Sequence, residues 1–172
     1  MLTTEIVIIE MKNLVKKLLL LVAVSLVSVT AALAQEAPKA VARIAEIVAK
    51  YEKTEGVSTM VAAKGSGIAL MKMMLKDQFG KMFMKGVTNI SMINYSEASA
   101  EVCESLHADI ETLGTLLDEV DLSDSDGTQE FDYARNYISV ASETTLSDFV
   151  IAIEMGESKM MIYMAGSIQI KE

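Results

Sequence analysis

The 172-residue chain contains one cysteine, one histidine and one proline, and it contains no tryptophan. A single cysteine excludes a disulfide within the chain, so an apolar core has to stabilise the fold. A single histidine restricts any Ser-His-Asp or Cys-His catalytic set to His107. Aromatic residues make up 5% of the chain, whereas methionine occurs 13 times. The sequence therefore predicts a core built from aliphatic side chains and methionine.

Residues 1–34 resemble a secretory signal peptide, in which basic residues precede an apolar run and a small-residue cleavage site. Three lysines between positions 12 and 17 supply the charge, residues 18–29 supply the apolar run, and Ala32-Leu33-Ala34 has the A-x-A pattern. The mixed sequence QEAPK follows instead of a basic stop, which favours a cleaved leader over a retained membrane anchor. We therefore predict cleavage after Ala34 and an exported mature chain of residues 35–172 without a membrane span.

Met11 is a second candidate for the start of the protein. Glu5 and Glu10 precede the lysines and reduce the charge asymmetry that orients a leader, whereas MKNLVKKLLLL has no acidic residue. Our hypothesis is that translation starts at Met11, and N-terminal sequencing of the unprocessed precursor tests it. Gln35 follows the predicted cleavage site where a lipid-anchored protein has cysteine, so that form of anchoring is excluded.

The predicted mature chain is acidic, with 12 basic and 22 acidic side chains. This balance argues against nucleic-acid binding, which needs a basic surface. The charge is also uneven, because residues 35–85 hold nine basic and five acidic side chains while residues 86–172 hold three and seventeen. The sequence leaves three alternatives open: the halves pack together, they pair between molecules, or they form solvated faces.

The spacing of apolar residues predicts three helices, over about residues 38–53, 68–80 and 96–120. Short β-branched or alternating runs predict five strands, over residues 57–63, 87–95, 131–141, 146–155 and 158–170. Short connections between the last three strands indicate an antiparallel meander. The order α-β-α-β-α-β-β-β predicts one α+β domain over residues 35–172, a two-layer sandwich whose mostly antiparallel sheet carries helices on one face.

This succession of elements resembles a secreted bacterial family catalogued as domain of unknown function 4252. The resemblance rests on YEKTEGVSTMVAAKGSGIALMKMM, an acidic helix, and LSDFVIAIEMGESKMMIYMAGSI, whose closing apolar strand, glycine and isoleucine lie at Gly166 and Ile168. It covers about residues 40–170. The resemblance implies an α+β domain exported by a Gram-negative bacterium, in the periplasm or outside the cell. It implies no activity and no site residue, because the shared motifs are apolar patterns and glycines.

One row on the third predicted helix combines a thiol, an imidazole and a carboxylate. Cys103, His107 and Glu111 are spaced four apart, so their side chains lie on adjacent turns of one helix face. Such groups bind divalent metals, but a structural zinc site needs four ligands and no fourth is evident in the sequence. The row also borders the apolar stripe of the helix. We therefore interpret it as packing, and we predict no catalytic residues and no enzymatic activity.

The densest group of carboxylates lies between positions 118 and 132. Hard cations prefer oxygen ligands from turns of this kind, so calcium is the cation to consider. The candidate ligands are Asp121, Asp124, Asp126 and Glu130. The EF-hand register fails, because Gly127 at loop position 6 places leucine at position 1 and tyrosine at position 12. A solvated loop is the alternative interpretation.

The methionines occur in the clusters MKMM, MFM and MMIYM. Thioether clusters bind copper(I), but methionine also fills irregular apolar cores. Met71 and Met74 have helical spacing, and Met160 and Met164 share a strand face, which favours the core interpretation.

These observations predict an exported, non-catalytic domain that binds a protein or an envelope component and needs no cofactor. The alternative hypothesis is a periplasmic cation-binding protein that uses the acidic loop 118–132. The sequence leaves the identity of the partner and the oligomeric state open.

Overall fold

A computed structural model of the chain describes residues 37–63, 65–120 and 131–170. The predicted leader, its cleavage site and both candidate starts lie outside these ranges. No helix within the described ranges combines the length and the apolar character that a membrane crossing requires.

The described ranges form four α-helices, one short 3₁₀ helix and six strands. The helices are α1 (Ala37–Tyr51), α2 (Gly65–Phe79), α3 (Lys81–Gly86) and α4 (Ala100–Glu111), and the 3₁₀ helix is Thr112–Thr115. The strands are β1 (Ser58–Ala62), β2 (Val87–Asn94), β3 (Asp118–Glu119), β4 (Tyr133–Ser142), β5 (Thr145–Met155) and β6 (Ser158–Gln169).

The six strands form one sheet in the order β1-β2-β6-β5-β4-β3, and every neighbouring pair is antiparallel. Two-residue turns join β4 to β5 and β5 to β6, and Gly156 takes a positive φ of 57° in the second turn. The predicted α+β fold, its antiparallel sheet and its closing meander are confirmed. The sheet brings β6, the last strand, into the middle between β2 and β5.

Helices cover both faces of the sheet, so the prediction of helices on one face is wrong and the structure has three layers. Along β5, Phe149, Ile151 and Ile153 pack against α2 and α3, whereas Val150 and Ala152 pack against α1 and α4. All five residues are buried. An unbroken apolar run of this kind is typical of a strand that is covered on both sides.

Three phenylalanines hold α2 and α3 against the first face. The ring of Phe149 meets those of Phe79 and Phe83 edge-on, with centroids 5.9 and 5.5 Å away. Phe79 and Phe83 stack on each other at 5.5 Å. Because aromatic pairs in these arrangements add to the free energy of burial, the cluster helps to attach both helices to the sheet.

The third predicted helix is shorter than expected at both ends. Ser99 caps α4 by accepting a hydrogen bond from the backbone N–H of Val102 at 3.3 Å. Ser96, the predicted cap, instead accepts a hydrogen bond from the backbone N–H of Lys159 on β6 at 3.0 Å. At the other end, the 3₁₀ helix turns the chain away, and residues 118–119 join the sheet as β3. Pairing with neighbouring strands therefore decides both boundaries.

A half-buried carboxylate joins the two helices of the second face. Asp109 of α4 accepts hydrogen bonds from Arg43 at 2.8 Å, from Lys50 at 2.6 Å and from the Tyr51 hydroxyl at 2.8 Å, all on α1. Burial by itself raises the pKa of the Asp109 carboxyl. The hydrogen bonds from Lys50, Tyr51 and Arg43 outweigh burial and hold this pKa below its usual value.

We predict that Asp109→Asn lowers the free energy of unfolding by about 1–3 kcal/mol at neutral pH, because charge-assisted hydrogen bonds are lost. A carboxyl whose pKa is lower in the folded state stabilises the protein above its unfolded pKa, about 4. The difference between wild type and variant should therefore be constant above about pH 5 and shrink as the pH falls through the folded pKa.

Urea unfolding of both proteins between acidic and neutral pH measures this difference. Glu46→Gln is the matched control, because Glu46 also pairs with Arg43 but its side chain is 67% exposed. A control effect as large as that of Asp109→Asn, or a difference between wild type and Asp109→Asn that does not depend on pH, would contradict the prediction.

Candidate functional site

The four candidate cation ligands, Asp121, Asp124, Asp126 and Glu130, lie outside the described residues. At the edges of that segment, Asp118 and Glu119 pair with β4, and Asp132 accepts the backbone N–H of Gly156 at 3.0 Å. Within the described ranges, no three histidine, cysteine or carboxylate side chains are placed to hold a metal ion. The calcium hypothesis therefore stays a prediction.

The structure directs the side chains of the helical row to three different partners. The Nε2 atom of His107 lies 2.6 Å from Oε1 of Glu154 on β5. The Lys159 ammonium on β6 donates to the sulfur of Cys103 at 3.3 Å. Glu111 contacts Arg135 on β4, with 3.4 Å between oxygen and nitrogen. Each residue therefore contacts a different strand, and the partners of Cys103 and His107 are neighbours on the β5–β6 hairpin.

Glu154 and Lys159 are charged residues of this region that were not among the candidates from the sequence. They face each other across the β5–β6 turn, with 3.9 Å between Oε2 and Nζ. The segment EMGESK indicates this pairing, because a two-residue turn at Gly156-Glu157 places positions 154 and 159 opposite each other. Neighbouring opposite charges on paired strands are a common cross-strand contact.

Two tyrosines enclose this charged cluster. The His107 ring stacks on Tyr133 with centroids 3.7 Å apart and planes 4° apart. It meets the Tyr95 ring edge-on, with centroids 6.0 Å apart. Burial, reinforced by the nearby Glu154 carboxylate, raises the pKa of the Tyr95 phenol far above its usual value. Glu154 is 8% exposed and Cys103 is 5% exposed. Cys103 lies in the apolar cluster of this face, and His107 is half-buried between the two rings.

Exposed apolar side chains concentrate in one part of the fold. Among the described residues, the exposed large apolar side chains are Val41, Met60, Val61, Leu70, Met73, Met74 and Met82. All except Val41 lie on β1, α2 or α3. The prediction that Met74 lies in the core is wrong, because its exposed fraction is 60% while Met71 is buried. Apolar residues surround α2, so their spacing did not reveal which side faces the sheet.

A groove of about 550 Å³ lies between α2 and α3. Its rim carries lysines from both helices around exposed methionines. We call this region the Met–Lys surface, formed by Lys72, Met73, Lys76, Lys81, Met82 and Lys85. The Lys72 ammonium donates to the backbone carbonyl of Lys85 at 3.3 Å, which links the two helices. None of these lysines forms an ion pair with another residue in the described part of the chain.

Comparison of the chain with protein-family models, with curated proteins and with solved structures finds no match. The resemblance to the family of unknown function therefore stays a prediction, and the geometry alone supports the proposals below.

Proposed function

We propose that this protein is a non-catalytic module that binds an acidic, apolar segment of a partner protein through the Met–Lys surface. The observation that supports the proposal is the group of exposed methionines bounded by four lysines that have no ion-pair partner among the described residues. The predicted leader supports a location outside the cytoplasm, and the resemblance to the secreted bacterial family implies the periplasm or the exterior of a Gram-negative cell.

The apolar component of the surface supports a binding role. Met73 is 58% exposed and Met82 is 49% exposed, on neighbouring helices. Contiguous exposed apolar side chains with a polar rim are typical of interaction sites. Methionine suits such sites because its unbranched, polarizable side chain adapts to the shape of a partner.

The lysines indicate the charge of the partner. The rest of the described chain is rich in carboxylates, and yet these four ammonium groups have none as an ion-pair partner. A partner with carboxylates beside an apolar strip would pair with the lysines while it covers the methionines. An amphipathic helix meets both requirements, because it presents apolar anchors at every third or fourth residue in a groove.

A protein partner fits this surface better than a lipid bilayer. Helices that lie on membranes present tryptophan, phenylalanine and leucine to the acyl chains. Here the phenylalanines of α2 and α3, Phe79 and Phe83, face the sheet and are buried. The exposed positions of the Met–Lys surface are methionine and lysine instead.

The test measures binding of a labelled synthetic helix that carries leucine on one face and glutamate on its flanks. We expect the double variant Lys76→Glu and Lys81→Glu to weaken binding about tenfold at low salt, because attraction becomes repulsion at two positions. Binding to the wild type should also weaken as salt is added, since screening reduces the attraction of exposed charges. Fluorescence anisotropy measures both effects.

Lys53→Glu is the matched control, because Lys53 is exposed but lies on the turn after α1. It should bind the helix as the wild type does. Equal binding by the double variant, or no binding by the wild type, would refute the proposal. Vesicles of anionic phospholipid provide the other comparison, and a stronger lysine-dependent interaction with vesicles than with the helix would assign the surface to membranes.

A further inference from the structure

The two edges of the sheet differ in length and in charge. At one edge, β3 has two residues, Asp118 and Glu119, and both are acidic. At the other edge, β1 has five residues, STMVA, without a charge or a proline. Soluble proteins protect sheet edges with short strands, charges or prolines. By these criteria β3 is a protected edge and β1 is an open one.

The backbone of β1 is paired on one side. Among the residues that the structure describes, its only sheet neighbour is β2, with Ser58 opposite Asn94 and Ala62 opposite Ile90. The outer side presents backbone N–H and C=O groups that another strand can pair with. Val61 on this strand is 60% exposed, so the edge also presents an apolar side chain to solvent.

A groove of about 320 Å³ lies between β1 and α1, next to this edge. Its walls are mostly apolar, with Val41, Ala45, Val48 and Ala49 on α1 facing Val61 on β1, and Glu52 and Thr59 add polar groups. The volume lies within the range of small binding sites, and walls of small aliphatic side chains suit small or medium apolar groups.

The floor of the groove is polar. Asn89 and Ser91 of β2 line it, and the buried Oδ1 atom of Asn89 has no hydrogen-bond partner within the described part of the chain. A buried acceptor without a partner costs free energy, which an occupant with an N–H or O–H donor would recover.

We propose that the β1 edge and the adjoining groove bind an extended segment of another protein, which joins the sheet as a seventh strand. The backbone of the segment pairs with β1, and every second side chain enters the groove beside α1. The groove selects small or medium apolar side chains, with one donor near Asn89. This site is separate from the Met–Lys surface, since the two share no residue.

The position of α2 beside β1 favours an extended segment of another protein over a second copy of this chain. α2 packs beside β1, and Gly67 of α2 approaches the Ala62 side chain closely enough that an added Cβ would lie 3.8 Å from it. Two copies joined antiparallel at β1 are related by an axis perpendicular to the sheet, so both α2 helices would lie on the same face near the junction. An extended segment joins the edge without bringing a second α2 helix to this face.

Random peptides displayed on phage and selected on the purified chain test the proposal. We expect selected peptides to alternate apolar and polar residues, and to bind Val61→Lys about tenfold or more weakly, because a charge then occupies the edge and the groove. Bound peptide should also slow amide hydrogen exchange at residues 58–62. Val41→Lys, on the opposite wall, provides a second variant if Val61→Lys does not fold.

Met74→Lys is the matched control, because Met74 is also 60% exposed but lies outside the groove. It should bind the peptides as the wild type does. The proposal is overturned if no selected peptide depends on Val61 or Val41, or if the amides of β1 exchange at the same rate with and without peptide. A homodimer that Val61→Lys dissociates also overturns it, because a second copy then occupies the edge.

Discussion

Replacing Phe149 with alanine should lower the free energy of unfolding by about 3–5 kcal/mol, the cost typical of deleting a buried aromatic ring. Phe149 is fully buried in β5, and its ring contacts both Phe79 and Phe83. The deletion therefore removes apolar burial, leaves a cavity and breaks two aromatic contacts at once. Urea unfolding monitored by circular dichroism measures the change.

The conservative variant Phe149→Leu separates volume from aromatic contact. It keeps most of the apolar volume, so we expect a smaller loss, about 1–2 kcal/mol. Met74→Ala is the control for a large side chain in the same layer, and it should change stability by less than about 0.5 kcal/mol because Met74 is exposed. If Phe149→Ala unfolds at the wild-type urea concentration, the three rings do not attach α2 and α3 to the sheet.

Phe149 also connects the fold to the proposed binding role. The Met–Lys surface consists of residues on α2 and α3, and the phenylalanine cluster fixes both helices on the sheet. Variants of Phe149 that still fold should therefore bind the acidic helix less tightly, although Phe149 itself is buried and does not line the groove.

The strands were easier to predict from the sequence than the layers. β4, β5 and β6 end close to their predicted positions, because apolar runs and short polar turns mark them locally. The number of layers depends on which residues are buried on both faces. The run from Phe149 to Ile153 carried that information, since a strand open to water on one face alternates apolar with polar residues.

The site residues depended on contacts that sequence spacing does not specify. Cys103 and His107 were correctly placed on one helix, but their partners, Lys159 and Glu154, come from a hairpin 47 or more positions away. The Met–Lys surface was hidden for another reason. Apolar residues occur around most of α2, and packing against the sheet decides which methionines remain exposed.

A second large effect is expected for Gly166→Ala, with a loss of about 2–6 kcal/mol in the free energy of unfolding. Gly166 has a φ of 149°, which residues with a side chain rarely adopt. A Cβ added there would also overlap the backbone carbonyl oxygen of Gly86 at the end of α3. The substitution therefore combines backbone strain with a clash that flexible side chains cannot relieve.

Gly86 lies at the same close approach of the two backbones, on the α3 side. A Cβ on Gly86 would overlap the carbonyl oxygen of Ser167, so Gly86→Ala should be destabilising as well. The two backbones meet where β2 leaves α3 and where the β2–β6 register shifts between Val87 and Asn89. The glycine in the closing strand thus has a physical role, which is to let β6 pass the end of α3.

Variants of two other glycines separate the free-energy cost of backbone strain from the cost of atomic overlap. Gly156 has a φ of 57° with open space around it. Gly156→Ala should therefore lower the free energy of unfolding by about 1–2 kcal/mol, the cost of the left-handed conformation alone. Gly67 lies in the first turns of α2, and Gly67→Ala should be neutral or stabilise the chain by up to about 1 kcal/mol. Urea midpoints with unchanged slopes allow the comparison. The prediction is contradicted if Gly166→Ala lowers the free energy of unfolding no more than Gly156→Ala does. In that case the backbones of α3 and β6 do not approach each other this closely.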